Sequence, residues 1–330
     1  MTVALTLVVR DEAEIIGANL EYHLAAGVDV VLVTDHRSED GTREILEDYR
    51  RSGVVRVFRK DADLVEQARW QSRMARVAFA EHGAEWVLLG DTDEFWWPYG
   101  RSLGEALARV PVEYGVVHAL QRNFVPVRDE GSSFSERMVV RLSMSAPIND
   151  PATPFRPVAK VAVRPGPKVV VGKGGGHQVF GFRGEPLHAW HPLEILHFPL
   201  RSREQSARKY EKTWTGWRAN LRGDLARARQ AADTNRSDAM WERLALDDTA
   251  VRDGVEDGSL VIDTRLRDVL RAIQSGGSRV AFDRSQDPHQ LFALAFSEAE
   301  LVRRQRWVDD LERRVHAIRD RRAGRRVRAR

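Results

Sequence analysis

Trp86-Val87-Leu88-Leu89-Gly90-Asp91-Thr92-Asp93-Glu94 is the stretch from which the fold can be read. Four apolar residues form a run too short for a helix, a glycine releases the chain, and three acids follow at once. Such an unbroken apolar run marks a strand covered on both faces, as in a parallel sheet. Similar runs lie upstream at Thr2–Val9, Val28–Val33 and Val54–Phe58. Between them the apolar residues fall at helical spacing: Ala13, Ile16, Leu20 and Leu24, then Ile45, Leu46 and Tyr49, then Leu64, Ala68, Ala75 and Phe79. Asp11 suits an N-cap with Glu14 as its capping-box partner, and Gly27 suits a helix stop. Strand and helix in alternation predict right-handed crossovers and parallel strands. Arg10, Asp35 and the Asp91/Asp93 pair then meet at the carboxyl ends of the strands, where open α/β sheets bind ligands.

From Gly115 to about Val171 the pattern changes to short runs, Val116–Leu120, Met138–Leu142 and Lys160–Val163, between Pro- and Gly-rich loops. These predict antiparallel strands that extend the same sheet. After His197 the chain turns helical, with Tyr210, Trp214, Trp217 and Leu221 in one stripe and Leu301, Val308, Leu311, Val315 and Ile318 in another. The expected architecture is α/β: a mixed sheet flanked by helices over residues 1–212, followed by a helical C-terminal extension, residues 213–330, with an Arg-rich tail. The apolar seam of the last helix would pack on its own domain or on a second copy in a homo-oligomer.

The chain has 330 residues, 42% of them hydrophobic and 30% charged, which is ordinary for a globular protein and excludes wholesale disorder. It has no cysteine, so disulfides, thiolate zinc sites, iron–sulfur clusters and a cysteine nucleophile are excluded. Thr2–Val9 is too short for a signal peptide and no later run reaches a membrane span, so the expected location is cytoplasmic, with a peripheral position at the inner membrane face compatible with the basic tail. Net charge is only +4, from 52 basic and 48 acidic side chains. The excess gathers in Arg319, Arg321, Arg322, Arg325, Arg326, Arg328 and Arg330, a solvated terminus or a contact for nucleic acid. Val9-Arg10-Asp11-Glu12 stands where a dinucleotide-binding fold carries its glycines, and no phosphate-binding P-loop motif occurs.

Alternate residues of an extended segment point the same way, so Asp91 and Asp93 can face one hard cation, Mg²⁺ or Mn²⁺. Such ions complete their shell with water and phosphate oxygens, which makes a diphosphate the natural ligand. Asp35 could accept from a base or a ribose hydroxyl; Arg69 and Arg73, one helical turn apart, could reach a phosphate or a base. His177, His188, His191 and His197 fall close together without the helical spacing of a zinc protease, and His197 is the one placed to complete a metal shell begun by Asp93. Trp96-Trp97-Pro98 would offer a sugar platform or packing, Trp214/Trp217 helix packing, and Gly172-Lys173-Gly174-Gly175-Gly176 a flexible turn.

Several segments, in order, resemble the GT-A glycosyltransferases of families 2 and 92. They are Val8-Val9-Arg10-Asp11-Glu12, Leu20-Glu21-Tyr22-His23, Gly27-Val28, Asp35 to Thr42, Trp86 to Phe95, Lys160 to Pro165, His177, and His197-Phe198-Pro199-Leu200-Arg201-Ser202 with Glu204 and Lys209. The resemblance covers about residues 3–212. It implies a GT-A-like, Rossmann-like domain that takes a nucleotide-diphospho-sugar donor, UDP-linked, and an acceptor hydroxyl on a glycan, lipid or small molecule. It implies Arg10, Glu12 and Asp35 in the nucleoside pocket, with Arg73 near the uracil or phosphates, Asp91/Asp93 as the metal motif, and His197 on metal or diphosphate. Asp93, Glu94 and His197 are then the expected catalytic residues, and Glu94, Asp129, Glu130, Asp150 and Glu185 the carboxylates available as a base. Two other functions fit parts of the pattern: a metal-dependent nucleotidyl or phosphoryl transferase, and a nucleic-acid-binding protein acting through its Arg-rich end.

Overall fold

The computed structural model describes residues 1–61, 65–128, 132–143, 158–188, 191–208 and 241–276. Residues 1–187 and 191–285 form one compact unit; the other, 188–190 and 286–330, falls almost wholly outside the described residues. So do the helical stripe from Tyr210 to Leu221, the C-terminal helix and the Arg-rich tail.

Four strands, β1 (Val3–Val9), β2 (Val30–Asp35), β3 (Val55–Arg59) and β4 (Trp86–Leu89), pair in parallel in the order β3-β2-β1-β4. Helices α1 (Ala13–Ala25), α2 (Thr42–Arg51) and α3 (Gln67–His82) connect them. The apolar runs are continuous because both faces are covered. Leu5, Leu7, Val31, Val33 and Leu88 join a core with Ile15, Ile16 and Leu20 of α1, whereas Ala4, Leu32, Val87 and Leu89 join another with Met74, Ala75 and Ala78 of α3. Alternate residues of each strand thus serve opposite layers.

Beyond β4 the sheet is mixed. Strands β5 (Glu94–Pro98), β6 (Tyr114–Asn123), β8 (Ala159–Val163) and β12 (Leu193–His197) extend it in the order β4-β8-β6-β12-β5. β8 is antiparallel to β4 and β6, β12 is parallel to β6, and β5 is antiparallel to β12. β11 (Glu185–Leu187) adds to the start of β6. Short strands β9 (Val170–Val171) and β10 (Val179–Phe180) form a hairpin, and β7 (Val140–Leu142) pairs with β13 (Leu260–Ile262). The remaining helices are α4 (Leu103–Ala108), α5 (Phe134–Arg137), α6 (Asp248–Glu256) and α7 (Arg265–Gln274). The α/β class and the mixed, helix-flanked sheet expected from the sequence are present. Among the described residues no helix is long and apolar enough to cross a membrane.

Two local readings are decided by the structure. Asp11 is not the N-cap of α1: Glu12 holds that position, and Asp11 sits at φ 53°, in the left-handed region, with its Oδ1 accepting from Glu39 N at 2.6 Å. Trp96 and Trp97 form no platform, because β5 is a buried edge strand and both rings lie in the core. The edge of β5 facing away from β12 is covered by polar side chains of α1. Asn19 Nδ2 donates to the Thr92 and Glu94 carbonyls, both at 2.9 Å, Tyr22 Oη donates to Trp96 O at 3.0 Å, and Trp96 N donates to His23 Nε2 at 3.2 Å. Side chains of a helix here do what a neighbouring strand would do, and leave no open edge.

The segment 241–276 is wired into the sheet by a buried ionic chain. Glu194 accepts from Arg122 Nε at 2.6 Å and from Arg265 Nη1 at 2.5 Å; Asp263 accepts from Arg265 Nη2 at 2.7 Å and Arg141 Nε at 2.8 Å. Burial opposes the Glu194 carboxylate, but Arg265 and Arg122 outweigh it and hold its pKa far below the usual range.

Candidate active site

The site begins where β1 and β4 end. After Val9 the chain turns sharply through Asp11 and meets the loop that follows β2. Asp11 N donates to Ser38 Oγ at 3.0 Å, Glu12 N to Thr42 Oγ1 at 2.9 Å and Ala13 N to Asp40 Oδ2 at 3.0 Å. The small polar residues of Asp35–Thr42 are therefore spent on tying two loops together, which fixes the direction of Arg10 and Glu12. Glu12 Oε2 receives Arg201 Nη2 at 2.6 Å, and the Arg201 side chain is 1% exposed. Arg201, from the segment after β12, thus anchors the N-terminal turn of α1.

At the end of β4, Asp91 is gripped from two sides. Its Oδ1 accepts from Gln67 Nε2 at 2.8 Å, and its Oδ2 lies 2.5 Å from the Lys160 ammonium. Lys160 rises from the central strand β8 and its side chain is 1% exposed. Burial disfavours the Lys160 ammonium, but Asp91 and Glu94 prevail and raise its pKa above the ordinary lysine value. The glycine loop closes over this pair: Val161 N donates to Gly176 O at 2.9 Å, and a Cβ on Gly176, at φ +58°, would stand 2.5 Å from the Leu89 carbonyl. Glycine there is a packing requirement as well as a turn.

Asp93 and Glu94 take opposite sides of the chain. Phe198 N donates to Asp93 O at 2.9 Å, which sets His197 beside the acid, with Nε2 3.8 Å from Asp93 Oδ1. His197 Nδ1 donates to Asn123 Oδ1 at 2.6 Å, and this bond orients the ring. Glu94 lies beneath the floor, 1% exposed, accepting from Asp91 N at 2.9 Å and from Gln121 Nε2. Its pKa is pushed up to about 7 by burial, against the pull of Lys160.

Above this floor opens a cleft of about 330 Å³. Its wall includes Arg10, Asp11, Glu12, His36, Gln67, Asp91, Thr92, Asp93, Gln205 and Arg208. His36 packs against Trp70, ring centroids 5.0 Å apart and the planes tilted by 51°. Arg10 Nε is buried without a hydrogen-bond partner, 3.9 Å from Asp11 Oδ2. Arg10, Glu12, Asp91 and Asp93 are thus brought together as the sequence suggested, with His197 against Asp93.

Other candidates lie elsewhere. Asp35 is 1% exposed beneath the loop, its oxygens accepting from Ser38 N at 3.1 Å and Arg43 Nε at 2.8 Å. Arg69 points outward to Glu66 and Arg73 lies over the Phe58 ring, 5.3 Å from its centroid; neither lines the cleft. Glu185 pairs with Tyr114 at the start of β6, whereas His197 pairs with Asn123 at its end, about 30 Å away at 3.3 Å per residue. Asp129, Glu130, Asp150 and Lys209 lie outside the described residues. His177 and His191 each turn Nδ1 to a backbone carbonyl. Residue chemistry alone overlooked Gln67, Lys160, Arg201, Gln205 and Arg208; Lys160 and Arg201 stood in segments quoted for the family resemblance, and that was the available signal.

Among the described residues no three histidines or acids converge on one point. Asp93 with an oriented imidazole fits a hard ion that keeps water and phosphate ligands. Asp91 lines the same cleft, with one oxygen accepting from Gln67 Nε2 at 2.8 Å and the other 2.5 Å from the Lys160 ammonium.

No protein-family model matches the sequence, and no curated protein matches it. Among solved structures the chain is similar to S. aureus TarS 1–349, with 16% identity and a TM-score of 0.31 over 50% of this chain and 47% of that one. It is similar also to TarS 1–349 in complex with UDP, with 14% identity and a TM-score of 0.32 over 64% and 65%. Glucosyl-3-phosphoglycerate synthase from M. tuberculosis in complex with UDP aligns at 18% identity and a TM-score of 0.24 over 38% and 45%. The chain spans about half the length of the first of these, 47%.

Proposed function

We propose that this protein is a glycosyltransferase that moves a sugar from a nucleotide-diphospho-sugar, UDP-linked, to an acceptor hydroxyl. The observation that supports it is the cleft at the carboxyl ends of β1 and β4, where cations and acids from segments far apart in sequence line one wall. A nucleotide diphosphate needs both kinds of group: cations for its phosphates, carboxylates and an aromatic surface for its nucleoside. His36, packed against Trp70, contributes to the cleft wall, and Glu12, held by Arg201, offers an oriented acceptor.

In the proposed reaction the bond from the anomeric carbon to the diphosphate oxygen breaks, and its electrons leave with the nucleoside diphosphate. A new bond forms to the acceptor oxygen, whose proton passes to a carboxylate of the cleft wall. Arg10 and Arg208 supply positive charge to the departing diphosphate, and the fixed loops hold it in place at no reorganisation cost. A divalent ion, Mn²⁺ or Mg²⁺, held by Asp93 and His197 would supply further neutralisation of the leaving group. A thermal-shift panel of UDP, GDP, CDP, TDP and ATP, with and without Mn²⁺, tests the proposal. One nucleoside diphosphate should raise the melting temperature in a metal-dependent way. No shift with any of the five would contradict it, and preference for ATP would favour a nucleotidyl or phosphoryl transferase.

A further inference from the structure

We infer that the hairpin of β9 and β10 is a contact for an anionic membrane surface, with the Val170 and Phe180 side chains entering the bilayer interface and basic side chains around them meeting the headgroups. The inference stands on the hairpin itself and does not depend on the function proposed above. Val170 and Phe180 are partners across the hairpin, 47% and 52% exposed. The next pair, Val171 and Val179, is buried against Met74, Ala75 and Ala78 of α3. Successive residues of a strand face opposite ways, so one pair of the hairpin serves the core and the other is turned away from it.

This exposure is not the result of a loose element. Val171 N donates to Ser72 Oγ, Arg76 Nη1 to Val169 O and Gly172 N to Gln178 O, each at 2.8 Å. Gly181, at φ +66°, presses on the backbone opposite, where a Cβ would stand 2.2 Å from the Lys168 carbonyl oxygen. The two apolar side chains are thus presented by a fixed scaffold, and little further ordering is needed when they dock.

The charge around the pair selects the partner. Residues 166–184 contain no acid, and their Lys168, Lys173 and Arg183 are exposed and have no ion pair among the described residues. Lys168 shares the outer face with Val170, since Val169 between them is buried. Cations around an apolar spot match anionic headgroups laid over hydrocarbon. A stable protein interface needs roughly 800 Å² from each partner, far more than one Phe–Val pair offers. Nucleic acid would engage the lysines but gain nothing from an exposed valine. The loop that joins β9 to β10 is the one that closes over Lys160, so the contact and the floor of the cleft belong to one continuous segment.

The test is co-sedimentation of the full chain with vesicles of phosphatidylglycerol and phosphatidylcholine, beside vesicles of phosphatidylcholine alone. The wild type should bind the anionic vesicles, less tightly as salt is raised. Val170→Ser/Phe180→Ser should weaken that binding about tenfold or more at an unchanged melting temperature, because both side chains are exposed. Lys168→Ser/Lys173→Ser should weaken it by a similar factor. Equal binding by the wild type and Val170→Ser/Phe180→Ser would assign it to the Arg-rich end of the chain and overturn the inference, as would no binding to anionic vesicles. The chain has no cysteine, so Phe180→Cys can carry a single environment-sensitive fluorophore. Its emission should shift to the blue on anionic vesicles. The same label on Ser52→Cys, at the end of α2 in the opposite layer, should not respond. No shift from the Phe180→Cys label, or an equal shift from both, would overturn the inference. A dimer in sedimentation equilibrium that Val170→Ser/Phe180→Ser abolishes would overturn it in favour of a second copy of the chain.

Discussion

His23 donates through Nδ1 to the Asn19 carbonyl at 2.8 Å and accepts the Trp96 N–H through Nε2, so only one neutral tautomer satisfies both bonds. Burial lowers its pKa from 6.5 to about 4. Between those values the unfolded chain binds a proton that the folded chain refuses. The contribution of His23 is therefore complete above pH 6.5 and is lost as the pH falls towards 4, by about 3 kcal/mol in all. Urea unfolding at pH 7.5 and pH 5 should show this slope, and His23→Gln, though less stable, should flatten it; an unchanged slope would rule out the assignment. Asn19 acts on the same strand. Asn19→Leu leaves the Thr92 and Glu94 carbonyls buried without their donor and should cost about 1–3 kcal/mol. Because those carbonyls flank Asp93, the variant should also bind UDP more weakly than its stability loss explains.

At the scale of elements, β1, β2 and β4 were legible because each is buried on both faces and so reads as an apolar run, whereas in β3 only Val55 is buried and Arg56 interrupts the run. β5 was not, since its two tryptophans were equally open to a sugar platform and to packing. Its edge partners are Asn19, Tyr22 and His23 of a helix more than seventy residues upstream, and no local pattern marks such a pairing. The same holds in the site: the Asp-Thr-Asp spacing was visible, whereas the grip of Gln67 and Lys160 on Asp91 depends on strands and loops far apart in sequence. β13 and α7 carry the other long-range device. Arg265 bridges Glu194 and Asp263 and covers the Trp97 ring at 5.0 Å. Arg265→Met would leave Glu194 buried with one arginine fewer, and should lower stability by about 3 kcal/mol in denaturant titration. A loss under about 0.5 kcal/mol, the range of ordinary surface substitutions, would show that the chain of charges is incidental.

Over the whole molecule, residues 241–276 and the sheet share one ionic chain, so residues 1–212 should not stand without them. A chain ended at residue 212 lacks Asp263 and Arg265 and leaves Arg141 and Glu194 buried without them. It should melt well below the full chain, or not fold, in circular dichroism; an equally stable fragment would contradict this. In the proposed function the cleft at the ends of β1 and β4 receives a nucleoside diphosphate between Arg10, Asp93 and Arg208. Calorimetric titration of UDP into the full chain, beside the Arg10→Gln/Arg208→Gln variant, tests it most directly. Saturable binding that weakens about tenfold or more in the variant is the expected result. Binding of equal strength in both proteins, or none to the folded wild type, would contradict the claim.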